Sequence, residues 1–185
     1  MDTFLLRVFQ RQIATQCFAA MTAAQQAQVS MGNPQDMFWA QIQACLTAVA
    51  NISKALYGQG GKYEKEREPL RASLGITEPN SLRATTMRNH LDHFDERLDE
   101  WYATSVQHNH LDYMIGPPNM VAGVADIDMF RVFDPTTGDI VFWGKQYPLR
   151  AIMDEVAQLY PIAQAEADKP HWDPPAAPST SGSGQ

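Results

Sequence analysis

The sequence predicts a mainly α protein, in which a four-helix up-and-down bundle is followed by a β-hairpin and a final helix. Apolar residues recur three or four positions apart over roughly the first 105 residues, which is the spacing of amphipathic helices. Glycine and proline interrupt this pattern at short intervals, as turns between the helices of a bundle do. Two later runs rich in β-branched and aromatic residues flank a polar turn, which indicates a hairpin.

The first two helices are predicted over residues 3–29 and 35–57. The apolar face of the first is formed by Phe4, Leu5, Val8, Phe9, Ile13, Cys17, Phe18 and Met21. The apolar face of the second is formed by Met37, Phe38, Ile42, Cys45, Leu46, Val49, Ile52 and Leu56. Because only a short connection separates the two runs, we expect them to belong to one bundle.

A shorter, charged helix is predicted over about residues 63–74, where Pro69 indicates either a kink or a later start. The fourth helix is predicted to begin at the cap Asn80-Ser81 and to continue to about Ser105. Its apolar residues recur at alternating steps of four and three: Met87, Leu91, Phe94, Leu98 and Trp101. This spacing predicts one continuous seam that packs against the other helices.

The remainder of the chain changes character. Two strand-like runs, 129–133 and 140–143, are joined by the turn sequence DPTTGD, and Pro148 opens a helix. An isolated hairpin is marginally stable in water, so we expect it to pack on the helices. The predicted organisation is a helical bundle over 1–106, a loop over 107–128, a hairpin and helix packed on the bundle over 129–167, and a disordered tail over 168–185.

Composition restricts the classes of function. The 185 residues carry a net charge of -7, which argues against a protein that coats nucleic acid but leaves room for a small site that cuts RNA. The sequence has no apolar run long enough for a membrane helix and does not begin like a signal peptide, so we expect a cytoplasmic protein with no membrane partner. Cys17 and Cys45 lie in helical apolar patterns and are predicted to be reduced, buried thiols.

The predicted fourth helix carries the clearest candidate site. Asn89 and His93 are four residues apart and share a face of a regular helix, whereas Arg88 and His93 lie on either side of its polar surface. The three side chains therefore converge only through the length of the Arg88 side chain or across a two-fold axis with a second copy. A homodimer through the bundle is part of any catalytic interpretation.

The sequence Arg88-Asn89, followed after three residues by His93, resembles the motif of the HEPN superfamily. That motif is an arginine, usually followed by a polar residue, with a histidine after four to six intervening residues, on a late helix of a four-helix bundle. The longer phrases FWAQIQACLTAVANISKAL and RNHLDHFDERLDEW are similar to a group of uncharacterised bacterial proteins. The resemblance covers roughly residues 1–105 and implies a HEPN-like four-helix up-and-down bundle.

The resemblance also implies a function. It points to a metal-independent endoribonuclease or an RNA-binding protein, in a toxin–antitoxin or anti-phage defence system, with RNA and an antitoxin as partners. Histidine titrates near neutral pH and suits proton transfer, while arginine remains charged and stabilises phosphorane oxygens. In this interpretation His93 is the general base or acid, Arg88 stabilises the phosphate and Asn89 orients either group. No cofactor is predicted.

Other interpretations of the same residues remain open. Arg88 can form a surface ion pair with Asp92, and His93 can pair with Glu96 or hydrogen-bond Asn89. His90 is predicted to be a partly buried residue satisfied by a hydrogen bond. His90 and His93 lack the spacing of the H-E-x-x-H zinc motif, so no metal site is predicted. The alternative function is a non-catalytic helical interaction or assembly protein of the same fold.

Overall fold

The computed structural model of the chain describes residues 1–32, 35–83 and 86–172, with the side chain of Arg88 outside the description. The described residues form six α-helices: α1 (Thr3–Ser30), α2 (Gln35–Tyr57), α3 (Glu68–Ser73), α4 (Thr86–Asp92), α5 (Phe94–Thr104) and α6 (Leu149–Ala167). They also form four short strands: β1 (Met114–Ile115), β2 (Val132–Asp134), β3 (Asp139–Phe142) and β4 (Lys145–Tyr147). The predicted mainly α class is confirmed.

Three long helices form the centre of the fold. The Asp2 carboxylate caps α1 by accepting hydrogen bonds from the backbone N–H groups of Phe4 and Leu5. Helix α1 packs along α2, where the Asn51 amide donates to Gln16 at 3.2 Å, and along α6. The predicted spans of the first two helices agree with α1 and α2 to within one residue.

The prediction of one continuous fourth helix, from Asn80-Ser81 to Ser105, is wrong. A 3-10 turn (Ser81–Arg83) precedes α4, and the chain leaves helical geometry at His93, with φ -111° and ψ 39°, before α5 begins. The acidic residues Asp95 and Glu96 occupy the first turn of α5, where the helix dipole favours negative charge. The start of a new helix at this point is therefore electrostatically favourable.

The predicted apolar seam continues across the break between α4 and α5. Met87 is buried, and four further residues pack against the core while partly exposed: Leu91, Phe94, Leu98 and Trp101. The third helix is also shorter than the predicted span 63–74, because α3 begins at Glu68 with Pro69 in its first turn. Pro69 is tolerated there because the first N–H groups of a helix have no intrahelical acceptor.

The strands form one sheet with the order β1-β2-β3-β4. β2 and β3 are the predicted hairpin, paired antiparallel with Asp134 opposite Asp139. The Asp134 carboxylate accepts from the Thr136 N–H at 2.8 Å, and Gly138 adopts φ +77°, so the turn uses the chemistry that its sequence indicated. β1 lies within the segment predicted to be a loop, 107–128, and pairs parallel with β2.

The sheet and the helices share a core. Phe130, Ile140 and Phe142 are completely buried and belong to the same apolar cluster as the residues of α1, α2 and α6. The first residues of the predicted tail are described and contact α1: the Arg7 guanidinium donates to the Pro170 carbonyl at 3.1 Å. Residues 173–185 of that tail lie outside the described residues. Among the helices described, none combines the length and apolar character needed to cross a membrane.

Candidate functional site

A polar cleft of about 730 Å³ lies between the end of α2, the segment that follows it and the break between α4 and α5. Twelve residues line it: Ser53, Lys54, Tyr57, Gly58, Gln59, Gly61, Glu64, Arg83, Asn89, His93, Glu96 and Arg97. The cleft contains three cationic side chains, from Lys54, Arg83 and Arg97. These outnumber its two carboxylates although the whole chain has a net charge of -7. The cleft is therefore a local exception to the acidic character of the protein.

Two of the three residues predicted from the motif line this cleft. The backbone connects them directly, since the His93 N–H donates to the Asn89 carbonyl at 3.1 Å. The break after Asp92 therefore leaves Asn89 and His93 on the same side of the chain, as the four-residue spacing predicts. The third residue, Arg88, lies in α4, and its side chain is outside the described residues.

The His93 ring has a specific partner. Its Nδ1 lies 3.3 Å from Oε1 of Glu96, one of the pairings that the sequence left open. The two side chains are 56% and 62% exposed, so water screens this pair and its contribution to folding stability is small. The pairing is consequently more informative about the orientation of the ring than about stability.

Arg97 joins His93 from the next turn of α5. Its backbone N–H donates to the His93 carbonyl at 3.1 Å, and its Nη1 lies 2.7 Å from Oε2 of Glu100. The Arg97 Nε is buried and has no hydrogen-bond partner within the part of the chain that is described.

Arg83 closes another side of the cleft from the 3-10 turn before α4. Its guanidinium lies between two carboxylates, 2.8 Å from Glu64 and 3.5 Å from Glu78, and the charge of Glu64 raises its pKa. The same guanidinium lies 5.1 Å from the centroid of the Tyr57 ring. Burial raises the pKa of Tyr57, and its hydroxyl accepts from the Asn80 amide at 2.5 Å. Tyr57 is therefore a neutral phenol at pH 7.

His90 takes no part in the cleft. His90 is partly buried, as predicted; its ring stacks on Phe142, and its buried Nδ1 has no hydrogen-bond partner among the described residues. Burial lowers the pKa of His90, and the positive charges of Arg97 and Lys145 lower it further. The described residues include no group of three or more His, Cys, Asp or Glu side chains that could hold a metal ion.

Sequence reasoning missed the half of the site that comes from other segments. Lys54, Tyr57 and Arg83 precede Arg88, the first residue of the motif, by 34, 31 and five positions, and no local pattern links them to it. Their common location follows from the packing of α2 against α4 and against the 3-10 turn Ser81–Arg83.

Comparison of the chain with known proteins identifies no relative. The chain matches no protein-family model, no curated protein and no solved structure. The interpretation of the cleft therefore depends on its residues and their geometry.

Proposed function

We propose that this chain is a HEPN-like protein that binds RNA in the polar cleft and cleaves it without a metal ion. The observation that carries the proposal is that Asn89 and His93 line one cleft together with cationic side chains from distant segments. An imidazole can transfer the protons in transesterification of RNA, and guanidinium, ammonium and amide groups can stabilise and orient the phosphate. Phosphate recognition is favoured by the three cationic side chains that line the cleft, two of which, Arg83 and Arg97, also pair with carboxylates.

In the proposed reaction, His93 accepts the proton of a ribose 2′-hydroxyl. The 2′-oxygen forms a bond to phosphorus while the bond from phosphorus to the 5′-oxygen breaks. The 5′-oxygen takes a proton from water, and the imidazolium returns its proton to the solvent. The products are a 2′,3′-cyclic phosphate and a 5′-hydroxyl. Arg88 and Arg97 stabilise the charge on the phosphorane oxygens, and Asn89 orients the reacting groups.

The proposal includes a homodimer. On a helix, neighbouring residues such as Arg88 and Asn89 are about 100° apart, so the spacing of the motif alone does not predict that the two converge within one chain. A second copy related by a two-fold axis supplies an Arg88 side chain to the cleft of its partner. Such an assembly also accommodates an antitoxin or another protein of a defence system as the regulator of the cleft.

One observation favours a second candidate function, a non-catalytic interaction or assembly role. Helix α1 exposes large apolar side chains, with Phe4 60% and Phe18 58% exposed. Phe4, Leu5 and Val8 are exposed near neighbours at the start of this helix, and a contiguous exposed apolar patch is typical of surfaces that contact other proteins. In that case the pairing of His93 with Glu96 is a solvated ion pair and the cleft performs no chemistry.

Cleavage of a 5′-labelled single-stranded RNA in excess EDTA distinguishes the two functions. The proposal predicts products with cyclic-phosphate ends, and their loss in both His93→Ala and Arg88→Ala. His171→Ala is the matched control, because His171 is an exposed histidine beyond α6 and outside the cleft. Folding of each variant is checked by circular dichroism. Absence of cleavage by the folded wild-type protein, or full activity of His93→Ala, contradicts the proposal.

A further inference from the structure

The outward face of α1 is almost free of charge along its whole length. Its exposed residues recur every seven positions, at 4, 5 and 8, at 11, 12 and 15, at 18, 19 and 22, and at 25, 26 and 29. Arg11 is the single charged residue among them. The exposed face of α5, in contrast, carries four carboxylates, those of Asp95, Glu96, Asp99 and Glu100. Depletion of charge is characteristic of the central part of protein–protein interfaces.

Large apolar side chains lie exposed at both ends of this face and near its middle. Phe4, Leu5 and Val8 lie in the first turns of α1, Phe18 lies near its centre, and Val29 lies in its last turn. A subset of the exposed residues recurs at alternating steps of four and three: Phe4, Val8, Arg11, Thr15, Phe18, Thr22, Gln25 and Val29. We call this set the α1 seam. Its spacing is that of the contact line between two helices of a coiled coil.

The α1 seam is complementary to itself when two copies of the helix run antiparallel. A two-fold axis between Gln16 and Cys17 places every seam residue opposite another seam residue. The pairs, each between one copy and the other, are Phe4 with Val29, Val8 with Gln25, Arg11 with Thr22 and Thr15 with Phe18. A parallel pair would instead place two Arg11 guanidiniums opposite each other, which is unfavourable.

We propose that two copies of the chain pair through the α1 seam, with their α1 helices antiparallel across a two-fold axis. This inference rests on the proposed function only in that both require a second copy. A second copy suits the face because an isologous contact brings each surface against itself, and a nearly uncharged surface does so without repulsion.

The size of the face sets the expected strength of the contact. Helix α1 has 28 residues and is about 42 Å long at about 1.5 Å per residue. A strip of that length and about 12 Å wide buries about 1,000 Å² over the two chains, which is the lower end for a specific interface. We therefore expect a dissociation constant on the order of 10 μM, so that dilute protein is monomeric.

Sedimentation velocity of the full chain, from about 0.5 to about 200 μM, tests the pairing. We expect a shift from monomer to dimer as the concentration rises. Phe18→Glu should weaken association at least about tenfold, because it places two carboxylates beside the axis. Tyr102→Glu, at an exposed aromatic residue of α5, is the matched control and should associate as the wild type does. A wild type that stays monomeric, or Phe18→Glu that dimerises normally, overturns the inference.

Disulfide cross-linking tests the orientation, since Cys17 and Cys45 are buried. Chains carrying Val8→Cys and chains carrying Gln25→Cys are oxidised separately and as a mixture. We expect a disulfide between the two variants and none within either alone, because antiparallel packing holds the two copies of residue 8 about 25 Å apart. Cross-linking of Val8→Cys to itself, or no cross-link in the mixture, contradicts the antiparallel pair.

The cleavage assay separates this inference from the proposed function. If the chain dimerises through the α1 seam and the wild type cleaves no RNA, the proposed reaction fails while the interface stands. If the wild type cleaves RNA and forms a dimer that Phe18→Glu leaves intact, the interface assigned to α1 fails while the proposed function stands.

Discussion

The His90 imidazole lies nearly parallel to the Phe142 ring, with centroids 4.7 Å apart and 11° between the planes. Phe142 is fully buried in β3, so this stack attaches α4 to the sheet. Tyr147 of β4 and Trp143 also approach the imidazole, with centroids 6.0 and 6.3 Å away. His90 thereby anchors the segment that carries Asn89 and His93, three residues before His93 itself.

The environment of His90 predicts a pH dependence of stability. Burial, Arg97 and Lys145 lower its pKa in the folded state, whereas the unfolded chain retains a pKa near 6.5. The unfolded state then binds more protons, so stability rises with pH and is lost as pH falls below about 6.5. We expect His90→Phe, which keeps a stacking ring, to reduce the loss of unfolding free energy between about pH 7.5 and about pH 5.5. Urea titrations at both values measure it; an equal loss in variant and wild type contradicts the account.

Phe130 is predicted to be a major contributor to the core. It is completely buried, and its ring contacts Phe94 of α5 and Phe142 of β3 at centroid distances of 5.5 and 5.8 Å. Phe130→Ala should lower the free energy of unfolding by about 3–5 kcal/mol, since it removes a buried ring and leaves a cavity. The matched control Phe18→Ala, at a side chain 58% exposed, should change it by about 0.5 kcal/mol or less. Equal effects of the two substitutions in urea denaturation are inconsistent with the described core.

The two cysteines are predicted to be unreactive in the folded protein. Both are free and buried, as the sequence indicated, and burial raises the pKa of Cys17 and of Cys45 to about 12. The thiolate is the nucleophile, so its population at pH 8 is very small. We expect reaction with a disulfide reagent such as DTNB only after urea is added. Two thiols per chain should then react. Rapid labelling of the native protein would show that these helices open readily.

Lys54 provides a test of where RNA binds. It lies in the last turn of α2 and lines the cleft, although it is distant in sequence from the motif. For a phosphate contact, Lys54→Ala should weaken binding of single-stranded RNA and reduce the slope of log affinity against log salt by about 0.7. Fluorescence anisotropy at several salt concentrations measures both. Lys169→Ala, beyond α6 and paired with Glu166, is the control and should leave the slope unchanged.

Most of the helical framework could be predicted from the sequence because its signals are local. The periodic runs of α1 and α2 and the hairpin turn at Asp134–Asp139 each specify their own structure over consecutive residues. The break at His93 escaped prediction because the apolar spacing continues through it from Met87 to Trp101. Periodicity reports which face is buried, and it is insensitive to one residue that departs from helical geometry.

The short strands and half of the cleft depend on contacts between distant segments. β1 has two residues and acquires its identity from parallel pairing with β2, so its own sequence carries little signal. Asn89 and His93 were predicted to share a helix face because they are four apart, and the resemblance to the HEPN motif made them a candidate site. Arg83 reaches the same cleft from a separate turn, where it is held by Glu64 and Glu78. Only the tertiary packing brings that charge to the motif.

The most direct test of the central claim uses the histidines as probes. Spectra of ¹⁵N-histidine-labelled protein are recorded while a 2′-O-methyl RNA, which binds but lacks the attacking hydroxyl, is added in EDTA. The account predicts that the His93 signals shift in a saturable manner, while those of His108 and His171, which do not line the cleft, stay in place. Saturable binding that shifts only the distant histidines, or addition of RNA that leaves the His93 signals unmoved, would contradict the claim that RNA occupies this cleft.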